Sequence, residues 1–282
     1  MYPTALVALD LSPAEGPMLD CLADLRDLGV RHVILTHVIR LGYAQGAGFG
    51  HEADYRDCLE RHAAPLRAAG MEVGIDIRNA GQAAGDILTA AAKHGADLIV
   101  IGSRGQSMLR GLFLGSTARE VIRRADRPVR LEWINATAEG TAAARACTGR
   151  LERLMLATDF SPAAAPAEAA AVALASGRRV DLMHVVTGAD RTRLPRWPAM
   201  ARGGLDAIAA EVVAAGGRAE VHLLAGTPSD EIAKAAEGCD AQLIVVGKHG
   251  QGRLQSALIG STAAALCEIA RRPVLMIPPQ DG

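Results

Sequence analysis

Apolar residues along the chain fall into short uninterrupted runs separated by longer amphipathic stretches. ALVALD (5–10), HVILTHV (32–38), LIVIG (98–102) and RPVRLEW (127–133) lie in the first half; LMLATD (154–159), RVDLMHV (179–185), LIVVG (243–247) and RRPVLMIP (271–278) lie in the second. LIVIG and LIVVG are apolar without polar alternation, the pattern of strands buried on both faces. Between the runs are DYRDCLERHAAPLRAAG, AGDILTAAAKHG and TAREVIRRAD, then GLDAIAAEVVAAGG, PSDEIAKAAEG and TAAALCEIARR, all rich in helix formers and several closed by glycine. Strands alternating with helices predict an α/β chain with parallel sheets, right-handed crossovers and helices on both faces.

The pattern is written twice. Asp10 matches Asp159 at a spacing of 149 residues, Val38 matches Val185 at 147, and Gly102 and Pro128 match Gly247 and Pro273 at 145. Offsets that shrink in small steps are those of two copies of one domain, not of a short solenoid repeat. The spacing predicts one domain over residues 1–136 and a second over 150–282, each a doubly wound five-stranded parallel sheet. Between them ATAEGTAAARACTGR (136–150) loses strand patterning and reads as a linker.

Composition narrows the function classes. Half the residues are apolar and only 3% aromatic, so Ala, Val, Leu and Ile must build the cores. A formal net charge of -1 gives no nonspecific attraction to a phosphate backbone, which argues against a nucleic-acid partner. The five cysteines (Cys21, Cys58, Cys147, Cys239 and Cys267) are scattered and never form C-x-x-C, so they read as small buried hydrophobes rather than a disulfide framework or a zinc site. No basic segment precedes an apolar leader, and no apolar run reaches membrane-spanning length. The expectation is a soluble cytoplasmic protein with no membrane partner.

The candidate chemistry lies in GSRGQSMLRGLFLGST (102–117) and GKHGQGRLQSALIGST (247–262). Gly102, Gly105 and Gly115 recur as Gly247, Gly250 and Gly260, the last glycine of each set leads into Ser-Thr, and nine residues separate the second and third glycines in both copies. In open α/β sheets ligands sit outside the carboxyl ends of the strands. A glycine at a strand end lets backbone approach a ligand, and one before a helix leaves its first N–H groups open to an anion. The bland reading is that the glycines only make turns and that Thr117 with Glu120 forms a helix capping box. The second copy has Ala265 in place of that glutamate yet keeps Gly-Ser-Thr, so turn formation does not demand the whole pattern.

G-x2-G-x9-G-[ST] after the fourth strand is neither a P-loop nor a dinucleotide fingerprint. It resembles the nucleotide-binding motif of the universal stress protein family, and the resemblance covers nearly the whole chain as two tandem domains, with D-x-S-P after each first strand. It implies five-stranded sheets of order 3-2-1-4-5, the adenine nucleotide alpha hydrolase-like fold, and ATP (or AMP or ADP) as ligand, with Mg2+ carried on the phosphates. It places Asp10 and Asp159 by the adenine and ribose, and Val38 and Val185 against adenine. Ribose and phosphates would be held by Gly102, Gly105, Gly115, Ser116 and Thr117 in one copy, and by Gly247, Gly250, Gly260, Ser261 and Thr262 in the other. The resemblance also implies pairing of the two copies through their fifth strands and leaves a homodimer open.

Each assignment has a structural competitor. Asp10 and Asp159 also suit strand-end turns, Ser12 and Ser161 read as helix caps, and any buried strand would carry Val38 and Val185. His37 and His184 match between copies but lack metal-ligand spacing and read as satisfied core histidines. Arg104, Arg110, Lys248, His249 and Arg253 suit phosphate pairing or solvated loops equally. The leading function is a regulatory nucleotide-binding protein. Its alternatives are a slow ATP hydrolase or an ATP-using enzyme of related fold, and a scaffold with vestigial sites.

Overall fold

A computed structural model of the chain describes residues 1–12, 18–19, 21–40, 52–103, 114–136, 142–144, 150–194, 196–250 and 259–279. The chain divides into two compact units, Met1–Arg150 and Leu151–Gly282. In the first, strands β1 (Thr4–Leu9), β2 (His32–Arg40), β3 (Glu72–Ala80), β4 (Leu98–Gly102) and β5 (Val129–Glu132) are joined by a 3-10 helix (Cys21–Leu28), α1 (Glu52–Ala68), α2 (Ala83–Lys93) and α3 (Ser116–Arg124). Pairing is parallel throughout: β1 with β2 and β4, β2 with β3, and β4 with β5, which gives the expected order 3-2-1-4-5. Residues Leu98–Ile101 of β4 are buried, as a central strand covered on both faces requires.

The second unit repeats the plan. Strands β8 (Arg153–Ala157), β9 (Arg179–Val186), β10 (Arg218–Ala225), β11 (Leu243–Gly247) and β12 (Val274–Ile277) alternate with α4 (Ala165–Ala173), α5 (Gly188–Arg193), α6 (Trp197–Ala214), α7 (Pro228–Gly238) and α8 (Ser261–Ile269). Here β8 pairs with β9 and β11, β9 with β10, and β11 with β12, all parallel. The equivalent helices α2 and α7 end alike. Gly95 and Asp240 take left-handed φ of 58° and 55°, and Ala96 N and Ala241 N each donate back five residues at 2.9 Å, the Schellman closure.

Two sequence expectations are corrected. The linker is not free of strand: β7 (Ala142–Ala144) pairs antiparallel with β6 (Ile134–Ala136), which ends where the linker begins. Alanine carries little strand propensity, so a pairing made by backbone alone leaves no pattern to read. Cys21 is disulfide-bonded rather than a plain buried hydrophobe, its partner lying outside the described residues, while Cys58, Cys239 and Cys267 are free.

Candidate functional site

Each first strand ends in a carboxylate held the same way. Asp10 Oδ1 accepts the Ser12 N–H at 3.2 Å and Asp159 Oδ1 accepts that of Ser161 at 3.0 Å. The intervening residues, Leu11 and Phe160, have φ of 56° and 57°, in a region that costs a side-chain-bearing residue roughly 1–2 kcal/mol. The same unfavourable backbone at both strand ends, each presenting an aspartate, points to a constrained site. Ser161 is not the helix cap that the sequence suggested: its Oγ accepts Ala164 N–H at 3.2 Å in the turn before α4, whose N-cap is Ala164 without a side-chain cap bond. One oxygen of each aspartate thus serves the turn, as the competing reading required. The Oδ2 of Asp159 is aimed at the β11 loop, where it fills the space a β-carbon on Gly250 would need.

The glycine skeleton sits on a hydrogen-bonded frame common to both copies. Ser103, which follows Gly102 at the end of β4, donates its N–H to Glu132 O at 2.8 Å and accepts Gly115 N–H at 2.9 Å. In the second unit Lys248 donates to Ile277 O at 2.7 Å and accepts Gly260 N–H at 2.8 Å. The fifth strand thereby fixes the first glycine's turn, and that turn fixes the start of the following helix. Gly115 and Gly260 are the N-caps of α3 and α8, at φ -58° and -62° with ψ 145° and 144°, and neither helix has a side-chain cap. The capping box of Thr117 with Glu120 does not form; Glu120 instead binds Arg123 at 2.7 and 3.0 Å. Two uncapped helix N-termini, each opening in Ser-Thr, carry the partial positive charge that suits an anion.

The predicted residues therefore gather by copy. Gly102, Gly115, Ser116 and Thr117 lie along one frame with Asp10 and Val38 at neighbouring strand ends; Gly247, Gly250, Gly260, Ser261, Thr262, Asp159 and Val185 do so in the second copy. Gly105, Arg104, Arg110 and Arg253 lie outside the described residues. Val185 is buried and Val38 half-buried. His37 and His184 are satisfied as expected: their Nδ1–H groups donate to Leu9 O at 2.9 Å and Thr158 O at 2.8 Å. Burial holds the His37 pKa below its ordinary value, against the opposing pull of the Leu9 carbonyl and Asp10.

A model of the universal stress protein family matches residues 1–131 and, a second time, residues 150–278. The chain belongs to the universal stress protein family. A universal stress protein of Mycolicibacterium smegmatis is 29% identical over 232 residues, which span 79% of this chain and 73% of that protein. One from Mycobacterium tuberculosis is 30% identical over 199 residues, 64% of this chain and 61% of the relative, so the match spans less than two thirds of that relative's length. A solved universal stress protein from Archaeoglobus fulgidus shares the fold with a TM-score of 0.75 at 24% identity, over 99% of this chain and 97% of that one. Among the described residues no helix is long and apolar enough to cross a membrane.

Within this family member the two copies differ around the shared frame. Ser103 is replaced by Lys248, buried despite its charge, and His249 beside it has a buried Nδ1 with no hydrogen-bond partner among the described residues. Burial, followed by the Lys248 charge, lowers the His249 pKa. Aromatic side chains that sequence reasoning passed over stand at both second strands. The Tyr55 ring centre lies 4.9 Å from that of His37, Trp197 Nε1 donates to His184 Nε2 at 3.1 Å, and the Phe160 ring centre is 5.0 Å from that of His184. Their rarity in a chain only 3% aromatic was the available signal.

Proposed function

We propose that each unit binds an adenine nucleotide and that the chain is a regulatory protein whose ligand stabilises one state of it. The observation that carries this is the frame repeated in both units: strand-end glycine, bonded carbonyl, and an uncapped Gly-Ser-Thr helix start. Phosphates would lie on the N–H groups at Gly115–Thr117 and Gly260–Thr262, and Mg2+ would arrive on them without a dedicated protein ligand. Asp10 and Asp159 would receive the ribose hydroxyls, with Val38 and Val185 against the base. Asp159 also keeps the Gly250 loop near the sugar, so base and phosphate ends are held by connected elements.

The cytoplasm is the proposed location. Pairing of the copies through their fifth strands is proposed on the sequence argument that an apolar edge strand must be covered. Melting the protein with ATP, ADP, AMP and CTP tests the ligand assignment: adenine nucleotides should raise the melting temperature and CTP should not. Equal shifts with all four, or none, overturn it. Mass spectrometry of small molecules released on denaturation should detect an adenine nucleotide.

A further inference from the structure

At the outer edge of the second sheet, away from the glycine frame, three groups of metal-ligand type meet. Asp181 on β9 and Glu220 on β10 are register partners, so their side chains share a face, and His222 lies two residues further along that face. His222 Nε2 is 2.7 Å from Asp181 Oδ1 and 3.9 Å from Glu220 Oε1, and one donor atom of each residue lies within 4.8 Å of the others. Asp181 is fully buried; Glu220 and His222 open toward solvent, giving an entry path.

The first unit shows that the fold does not require this set. By strand register, Asp181 corresponds to Ile34, Glu220 to Gly74 and His222 to Asp76. Ile34 fills the space beside Gly74, its Cδ1 standing 3.0 Å from where a β-carbon would be. In the His222 position Asp76 instead accepts from Arg78 Nε at 3.0 Å, with His94 Nε2 3.1 Å away. Where one copy is content with isoleucine and glycine, the other buries a carboxylate beside a second carboxylate and an imidazole.

We propose that Asp181, Glu220 and His222 form a binding site for a zinc-class divalent cation. Mixed oxygen and nitrogen donors in this number, with water as the fourth ligand, suit a tetrahedral zinc-type ion better than calcium or magnesium, which take oxygen alone. Arg179 now fills the cation's role: its Nη2 stands 2.8 Å from Asp181 Oδ1 and 2.7 Å from Glu220 Oε2. It sits at the rim, with 39% of its side chain exposed, and can swing into water when a divalent ion takes its place. Asp181 is five residues short of the β9 terminus at Val186, about 16 Å at the rise of an extended strand, so this site is separate from the nucleotide frame.

The test is calorimetric titration of zinc chloride into the full chain after treatment with chelator. One zinc per chain with a raised melting temperature is expected. His222→Ala and Glu220→Ala should each weaken binding by at least about tenfold. Cobalt(II) in place of zinc should give the visible absorption of a four-coordinate ion, which His222→Ala abolishes. Arg179→Ala should tighten binding, because the competing guanidinium is gone; a purely structural ion-pair network gives no such gain. Absence of saturable binding, or binding untouched by both ligand substitutions, overturns the proposal.

Discussion

Asp159 and Gly250 fit against each other: the Asp159 Oδ2 occupies the space a β-carbon at position 250 would need, while Oδ1 is held by the Ser161 N–H. The carboxylate that ends β8 thereby sets which residue can stand in the loop after β11. Gly250→Ala should push the carboxylate aside, lowering stability by about 1–3 kcal/mol and weakening nucleotide binding to the second unit about tenfold. Adding Asp159→Ala should recover the stability but not the binding. A double-mutant cycle read by denaturant melts and calorimetry separates the two effects; additive stability losses would show that the residues do not interact.

Gly115→Val and Gly260→Val test whether both units are competent. At Gly260 a β-carbon would stand 3.3 Å from Lys248 O and 3.6 Å from His249 Cα, and branching there would crowd the helix start. Each substitution should remove one of two nucleotide sites and leave the other within a few fold. If Gly260→Val binds normally while Gly115→Val binds nothing, the second unit is structural.

Asp76 links stability to pH. Burial alone would raise its pKa, but hydrogen bonding and charge from Arg78, with help from His94 and Lys93, outweigh it and hold the carboxyl below the ordinary Asp value. A carboxyl depressed on folding contributes stability that is in place above the ordinary Asp range and is lost as pH falls through the lower folded value. Asp76→Asn should cost about 2 kcal/mol at neutral pH, and the difference from the parent should close on acidification. Melts across that range decide it, since a constant difference would assign the effect to packing.

Arg130 and Glu132 of β5 form a buried ion pair, with Asp24 Oδ2 3.8 Å from Arg130 Nη2. The equivalent second-unit residues, 145 positions on, are Leu275 and Ile277. Arg130→Leu alone should destabilise by about 3–5 kcal/mol because two buried carboxylates lose their partner. The triple variant Asp24→Ala, Arg130→Leu, Glu132→Ile should be as stable as the parent or more so. Equal losses in both variants would mean that shape, not charge, governs the position.

The duplication, the alternation of strand and helix and the repeated glycine spacing were legible in the chain because each is local: apolar runs, helix formers and glycine positions act within one element. Strand order followed from the family resemblance. Contacts between elements were not legible. Nothing near Asp159 signals that its second oxygen meets Gly250, nothing near Gly115 shows that its N–H closes on Ser103, and the triplet of alanines at 142–144 carries no strand pattern although its backbone pairs. Asp181, Glu220 and His222 looked unrelated in sequence. Only parallel register brings them together, because register is settled by burial across the whole sheet rather than by any neighbour along the chain.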